Sequence, residues 1–400
     1  MSFRNAFSAA PTCSPSRSAL LTGLSPHANG MVGLAHRGFR LEDYSRHLVR
    51  LFREAGYRTA LCGVQHVAPR KEEIGYDEIL DERTDYFARA PFSPEEWDLQ
   101  NAERAATYIK EATEPFLLSY GLLTTHRPFP KGPGKALPMP PPPLPDTPDT
   151  RRDMAQFCEG LRVVDRCFGG IFDALREADQ WENTAILITS DHGAPFPRMK
   201  ATLRDGGISV SLLLRIPGVA ETGETQDALV SQVDLYPTLL ELAAIVPPES
   251  EGDSLLPLLR GETKDHREAI FGETNYHAVY EPARAVRTSR YKLLRRYGDR
   301  HTPAPANVDD SRTKELYRNA GYFRRRLPRE GLFDLLLDPL EERNLIGQEE
   351  YAKEETDLRT RLEQWMTKTD DPLLSGPVPR PEGSRLNLPD AYSAEEPTQE

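Results

Sequence analysis

Short apolar runs alternate with amphipathic helical patterns over the first half of the chain, and this alternation constrains the fold more than any other feature. Residues 57–61, 116–123 and 184–189 are apolar runs of the length typical of buried strands. Between them, residues 95–113 and 153–179 carry apolar side chains at helical spacing. Strands that alternate with helices predict an α/β fold with a mostly parallel central sheet flanked by helices.

Polar side chains follow each of these predicted strands. His66 comes after the first strand, His126 after the second, and Asp191 with His192 after the third. Because ligands in open α/β sheets bind outside the carboxyl ends of the strands, we expect these residues to share one site.

The sequence pattern changes after about residue 265. Residues 285–294 and 332–337 are strand-like but separated by basic and proline-containing stretches, which favours a smaller antiparallel subdomain. Residues 372–400 are rich in Pro, Glu and Ser, as in a loosely packed tail. The predicted organisation is a main domain at 1–264, a C-terminal subdomain at 265–371 and a tail at 372–400.

Composition excludes several classes of protein. The chain has 400 residues, 38% of them hydrophobic, and its net charge of −12 argues against a nucleic-acid binder that relies on bulk positive charge. No apolar run approaches the roughly 18 residues of a membrane span, and the first residues show no signal-peptide pattern. Four cysteines are too few for a disulfide framework. A cytoplasmic enzyme is therefore the default expectation.

The segment from Cys13 to Gly23 has the pattern of a short helix. Pro15 suits a first helical turn, and Gly23 suits a helix stop. Cys13 would then face the free N–H groups and the positive end of the helix, a position that favours anions. On these residues alone, a surface helix with an incidental thiol is an equally good interpretation.

Cys13-Ser14-Pro15-Ser16-Arg17, followed by Leu21-Thr22-Gly23, resembles the signature of the sulfatase family. The resemblance extends over roughly residues 1–370, and its further matching segments are 189–193, 200–218 and 332–345. Within the family, residues 29–31, 66–69 and 193–197 are most similar to the sulfamidase, or heparan N-sulfatase, branch. The resemblance implies an alkaline-phosphatase-like fold and hydrolysis of a sulfate ester or sulfamate on a carbohydrate.

The resemblance also implies a nucleophile and its helpers. Cys13 would be oxidised to formylglycine by dedicated formylglycine-generating machinery, and the hydrated aldehyde would attack sulfur. Arg17 would steady this nucleophile, and Lys200 would clamp a sulfate oxygen. His66 and His126 would contact sulfate, protonate the leaving group or relay a proton.

A divalent metal completes the implied site. Its implied ligands are Asp191, His192 and the modified Cys13, and calcium is the metal generally bound in the family. A metal absorbs charge that develops on the sulfate oxygens. Imidazole is a softer donor than calcium prefers, so this donor set leaves the identity of the metal open.

This sequence departs from the family pattern at two places, and each departure leads to an expectation. Val64 occupies the place of a family lysine, so charge stabilisation is expected to be weaker unless Gln65 or Arg127 compensates. The family's first strand, which ends in paired aspartates, has no counterpart in the residues before Cys13. We therefore expect an N-terminally truncated domain with one carboxylate at the metal and little activity until an upstream segment is restored.

Two other functions stay open on the sequence. A phosphodiesterase or phosphonate hydrolase of the same superfamily could use the same nucleophile. A catalytically inactive relative that binds sulfated glycans would account for Val64 and for the absent aspartates. The basic residues between Arg284 and Arg296 would either guide an anionic sugar or form a half-solvated strand and turn.

Overall fold

The computed structural model describes residues 1–81, 83, 93–132, 137–220 and 223–400. The helices, numbered α1 to α10 along the chain, are Cys13–Thr22, Pro26–Asn29, Leu48–Glu54, Pro94–Glu111, Pro148–Glu177, Asp205–Ile208, Leu235–Leu242, Leu256–Leu259, Arg312–Asn319 and Ala352–Lys368. The strands, numbered β1 to β15, are Ser2–Phe3, Ala6–Phe7, Arg58–Gly63, Glu78–Ile79, Phe116–Gly121, Ile186–Thr189, Leu212–Arg215, Thr225–Gln226, Val230–Ser231, Ala269–Tyr276, Tyr280–Thr288, Tyr291–Arg296, Glu330–Asp334, Leu386–Asn387 and Thr398–Gln399. Within the described residues, no helix combines the length and the apolar character needed to cross a membrane.

Two sheets make up the centre of the fold. In the first, β3 lies between β4 and β5 and is parallel to both. In the second, the order is β6-β7-β1-β8, with β7 antiparallel to both neighbours and β8 parallel to β1. The α/β arrangement predicted from the alternation of strands and helices is confirmed.

Helices α4 and α5 cover both sheets with one apolar cluster. Ile109 of α4 and Leu175 of α5 pack with Phe116 and Leu118 of β5 and with Ile186 of β6. The side chains of β5 and β6 are nevertheless only half-buried. In the described part of the chain, each of these strands pairs with one neighbour only. In the described part of the chain, β5 and β6 are therefore open edges of two sheets that pack against the same helix pair.

The antiparallel sheet predicted for the C-terminal part is present, with the order β10-β11-β12-β13. The prediction of a single strand over 285–294 is wrong, because β11 ends at Thr288 and β12 begins at Tyr291. The hydroxyl of Thr288 and the backbone of Tyr291 bond to each other across this turn. Leu358 and Leu362 of α10 then cover Val286 and Leu293 on one face of the sheet.

Residues 372–400 pack against the rest of the molecule, so the expectation of a loose tail is wrong. Val378 and Leu386 are buried in the cluster that contains Phe39. The backbone N–H of Arg385 donates to the carbonyl of Arg37 at 2.8 Å. The few apolar side chains of this polar segment are enough to hold it in place. The division at residues 264 and 371 stays a prediction.

Candidate active site

Helix α1 begins at Cys13, as the sequence pattern predicts. Pro15 lies in its first turn, and Gly23 ends it with a φ of 69°, where its N–H donates to Ala19. Cys13 is 7% exposed and stands at the N-terminal end of the helix. Its Sγ lies 3.3 Å from Nε2 of His192. Residues 179 positions apart are thereby in direct contact.

The turn after β6 holds Asp191 and His192 against α1. Ser16 of α1 donates its hydroxyl to the carbonyl of Asp191 and, at 3.0 Å, to Gln232. The next residue is Gly193, where an added Cβ would lie 1.9 Å from the carbonyl oxygen of Gly206. Only glycine permits this close approach, which fixes the direction of the turn.

Three potential metal ligands converge at this point. The Sγ of Cys13, a carboxylate oxygen of Asp191 and a ring nitrogen of His192 all lie within 4.8 Å of one another. Arg17 donates its Nε–H to Oδ2 of Asp191 at 2.9 Å. If residue 13 is modified, its oxygen takes the place of the sulfur. This set fits a divalent cation, but calcium usually takes six to eight oxygen ligands, so further donors are needed for a calcium site.

The charged groups of this cluster stabilise one another's ionised forms. Burial alone would raise the pKa of Asp191, but the charges of His192 and Arg17 outweigh it and hold that pKa well below its usual range. Burial lowers the pKa of His192, but Asp191 and Cys13 overcome it and raise it to about 9. The turn therefore presents an ionised carboxylate beside a protonated imidazole at neutral pH, and His192 must release this proton before its ring nitrogen can bind a cation.

His66 is buried in the loop that follows β3. Its Nε2 lies 2.8 Å from Nδ1 of His36, and the two rings stack with centroids 5.1 Å apart. Burial, together with the charges of His36 and Arg17, lowers the pKa of His66 well below its ordinary value. Sequence reasoning missed His36, because a lone histidine in a loop carries no signal of its partner thirty residues away.

Lys200 and His126 lie close enough to the cluster for electrostatic interaction with its residues. Lys200 is 4% exposed, and its Nζ donates to both carboxylate oxygens of Asp309, at 3.1 and 2.9 Å. Burial and the charge of Lys200 lower the pKa of His126 to about 4, so its ring is neutral at pH 7. Asp309 was also missed, because nothing in its local sequence points to a lysine 109 residues earlier.

The residues suggested to compensate for Val64 are bonded elsewhere. The side chain of Gln65 bonds to the backbone of Val67 and Ala68. Arg127 forms a two-pronged ion pair with Asp153, at 2.6 and 2.9 Å. Val64 itself packs in an apolar cluster. The position of the family lysine is thus used for packing.

Most of the basic residues between Arg284 and Arg296 pair with carboxylates. Arg284 is fully buried against Asp371, and Arg287 and Lys292 both bond to Asp205. Such pairing offsets the charge of these cations, which favours a structural role over the guidance of an anionic sugar. They hold the antiparallel sheet to its neighbours.

Comparisons with known proteins identify the family of the chain. Residues 1–245 match the model of the family described as sulfatase. Residues 199–322 match the model described as the C-terminal part of N-sulphoglucosamine sulphohydrolase.

Characterised relatives resemble the chain over most of its length. Human N-sulphoglucosamine sulphohydrolase is 28% identical, over 94% of this chain and 84% of its own. An ulvan-active sulfatase of Formosa agariphila is 27% identical, over 96% of this chain and 77% of its own. A Δ4,5-hexuronate-2-O-sulfatase of Bacteroides thetaiotaomicron is 25% identical, over 99% of this chain and 87% of its own.

Solved structures of sulfatases share the alkaline-phosphatase-like fold. A structure described as a 2-O glycosaminoglycan sulfatase superposes with a TM-score of 0.72 at 22% identity, over 99% of this chain and 90% of that one. Another, described as a complex with its substrate D-glucosamine-2-N,6-O-disulfate, gives 0.72 at 18% identity, over 95% and 92%. Since the family model matches more than half of the sequence, the chain belongs to the sulfatase family.

Proposed function

We propose that this chain hydrolyses a sulfate ester or sulfamate on a carbohydrate, with the oxidised form of Cys13 as nucleophile. The observation that carries the proposal is the position of Cys13 at the head of α1, 3.3 Å from His192 and beside Asp191. The names of the relatives support a sulfated sugar as substrate, because they include N-sulfoglucosamine, ulvan and hexuronate 2-sulfate.

Residue 13 would be a formylglycine made by machinery that recognises the motif around it. The hydrated aldehyde supplies the attacking oxygen and a second oxygen on the same carbon through which sulfate can later leave. Arg17 holds this residue from one helical turn away while pairing with Asp191 at 2.9 Å. The positive end of α1 favours the negative charge that the attacking oxygen carries.

Asp191, His192 and residue 13 would hold a divalent cation, for which we propose calcium. When bound, such a cation would supply positive charge to the sulfate oxygens. Lys200 adds a second positive group, and Asp309 keeps its ammonium in place. Preorganised charges of this kind stabilise a transition state more than a ground state.

The two histidines would handle protons and sulfate. The neutral ring of His126 is fixed by the bond between its Nδ1 and the carbonyl of Arg127, at 2.7 Å. In this proposal the ring of His126 contacts a sulfate oxygen or the leaving group. His66 and His36 form a hydrogen-bonded pair that can pass a proton toward the solvent, because His36 is exposed.

A second candidate function is binding of sulfated glycans without turnover. It is favoured by the single carboxylate in the metal cluster and by the packing of Val64. Under this alternative the cations around Cys13 would retain a sulfate group that is never cleaved.

One set of assays tests the proposal. The chain is co-expressed with formylglycine-generating machinery, and turnover is measured on an aryl sulfate, glucosamine 2-sulfamate and an aryl phosphodiester. We expect sulfate release that is lost in Cys13→Ala and kept in Cys158→Ser, since Cys158 lies on α5 and is not one of the residues in the cluster of Cys13, Asp191 and His192. Faster phosphodiester cleavage would overturn the proposal, and tight sugar binding without turnover would favour the second candidate.

A further inference from the structure

Arg127 follows His126 directly in the chain and has a nearly buried side chain. Its Nη1 and Nη2 donate to the two carboxylate oxygens of Asp153 on α5, at 2.6 and 2.9 Å. The side chains of Arg127 and Asp153 are only 11% and 5% exposed. A two-pronged pair of this kind fixes the orientation of the guanidinium plane as well as its position. Neither residue has a part in the proposed chemistry, so the purpose of their ion pair is open.

Three further contacts hold this ion pair in one arrangement. The rings of Phe129 and Phe196 lie against the guanidinium of Arg127, whose Cζ is 4.2 and 4.9 Å from their centroids. The hydroxyl of Thr313 on α9 donates to Oδ2 of Asp153 at 2.6 Å. Stacking and charge-assisted hydrogen bonds together leave the side chain of Arg127 little freedom. The ion pair is therefore a fixed point to which neighbouring loops can be attached.

The backbone of Arg127 orients the ring of His126. The carbonyl oxygen of Arg127 lies 2.7 Å from Nδ1 of His126. Because a carbonyl oxygen can only accept a hydrogen bond, Nδ1 carries the proton between them. Burial and the charge of Lys200 lower the pKa of His126 to about 4, so the ring is neutral at pH 7 and Nδ1–H is its one N–H group. The position of the Arg127 backbone thereby sets the tautomer and the direction of the ring.

The side chain of Arg127 also reaches the loop that follows His192. Its Nε donates to the carbonyl of Pro195 at 3.0 Å. The Nδ1 of His192 lies 2.8 Å from the carbonyl of the next residue, and the carbonyl of Ala194 accepts the N–H of Lys200 at 3.2 Å. Three successive carbonyls of this loop are thus bonded in turn to His192, Lys200 and Arg127. The guanidinium is attached to the loop that also holds two residues of the site.

We propose that Arg127 and Asp153 are positioning residues, which hold the ring of His126 in a fixed relation to the loop after β6. Arg127 makes both connections, because its carbonyl orients the ring and its side chain anchors the loop. Asp153 acts through Arg127 by holding both terminal nitrogens of the guanidinium. The inference rests on the proposed function, since it gives this ion pair a role in aligning the groups that react. Small errors in such alignment lower the rate strongly.

Kinetics on an aryl sulfate test this role. Asp153→Asn keeps the size of the side chain but removes the charge that holds the guanidinium. We expect kcat to fall about 10–100-fold with a much smaller change in KM, because a misaligned site still binds substrate but reacts slowly. Arg127→Lys keeps the positive charge without the two-pronged geometry and should also lower kcat. Parental kcat in both variants would overturn the inference.

Two controls separate alignment from loss of stability. Asp165→Asn makes the same exchange at an exposed position of α5 and should leave kcat and the melting temperature unchanged. Leu362→Ala creates a cavity at a fully buried position of α10, in the cluster that covers the C-terminal sheet. It should lower the melting temperature but leave kcat unchanged at a temperature where the protein stays folded. An equal fall of kcat in Leu362→Ala would overturn the role of the ion pair.

A measurement that needs no turnover separates this inference from the proposed function. Long-range proton–nitrogen NMR spectra of the chain with isotope-labelled histidine distinguish the two tautomers, and the signals lost in His126→Gln identify His126. The parent should show the Nδ1–H tautomer, and Asp153→Asn and Arg127→Lys should shift the population toward Nε2–H. If the parent cleaves no substrate, the proposed function fails, but these spectra still test the ion pair. The parental tautomer in both variants would overturn the inference, whether or not the chain is active.

Discussion

The Nζ of Lys200 lies 2.9 Å from Oδ2 of Asp309, across 109 residues of sequence. Both side chains are largely buried, and their pairing ties the loop after β6 to the segment before α9. Asp309 holds the ammonium of Lys200 at a position where it also interacts electrostatically with Cys13 and Asp191. A residue outside the recognised motifs thus positions a residue inside them.

The first prediction concerns this ion pair. Asp309→Asn should destabilise the protein by about 3–5 kcal/mol at neutral pH, because the buried ammonium of Lys200 loses its counter-charge. Asp299→Asn, at an exposed position, should change the free energy of unfolding little. Urea unfolding of the three proteins measures the difference.

The direction in which the pKa of Asp309 is shifted determines how the stability difference between the parent and Asp309→Asn depends on pH. Burial opposes ionisation, but Lys200 and His126 hold the pKa of Asp309 below its ordinary value. The stability from the pair is therefore full above about 3.9, the ordinary pKa of aspartate, and is lost as the pH falls from there toward the folded-state pKa. The gap between parent and Asp309→Asn should shrink in acid, and a gap that stays constant would contradict the assignment.

The second prediction concerns modification of Cys13. Co-expression with formylglycine-generating machinery should convert part or all of Cys13 to the aldehyde, because the motif around it matches the family signature. Peptide mass spectrometry measures the conversion, and the free thiols Cys62, Cys158 and Cys167 serve as internal controls. A Cys13 peptide that always remains alkylatable would remove the basis of the mechanism.

The third prediction separates catalysis from stability at Lys200 and His126. His126→Ala and Lys200→Ala should each lower kcat by about 10²–10³, the range found for preorganised electrostatic contacts. Lys200→Ala also leaves the carboxylate of Asp309 buried without a partner. The double variant with Asp309→Asn should therefore recover stability without recovering turnover. Near-parental turnover with an early melting transition would show that the altered residue is structural.

The fourth prediction concerns the open edges of β5 and β6. Extending the chain upstream by an apolar strand that ends in two aspartates should raise the melting temperature, because unpaired backbone groups gain partners. It should also raise cation affinity and aryl sulfatase activity, since it adds the oxygen ligands that calcium prefers. The same extension ending in two asparagines should stabilise the fold without the gain in cation affinity. Full cation binding and turnover by the 400-residue chain would contradict the prediction.

Local patterns were enough to predict the elements that carry the nucleophile and the metal cluster. Pro15 and Gly23 marked the first turn and the end of α1, and both conformations depend only on neighbouring residues. The apolar run before Asp191 likewise predicted a strand, which the structure places at Ile186–Thr189. The reversal of the chain within 285–294 was missed, because the strand-like sequence pattern continues through the turn at Ser289 and Arg290.

The sequence by itself determined the alternating strands and helices between residues 57 and 189 and the motif that holds Cys13, because those properties depend on residues within a few positions of one another. Only the tertiary structure decided which side chains support the site. His36 reaches His66 and Asp309 reaches Lys200 through contacts between distant segments. Such contacts depend on how the whole chain packs, and polar residues in loops carry no periodic pattern that would reveal them.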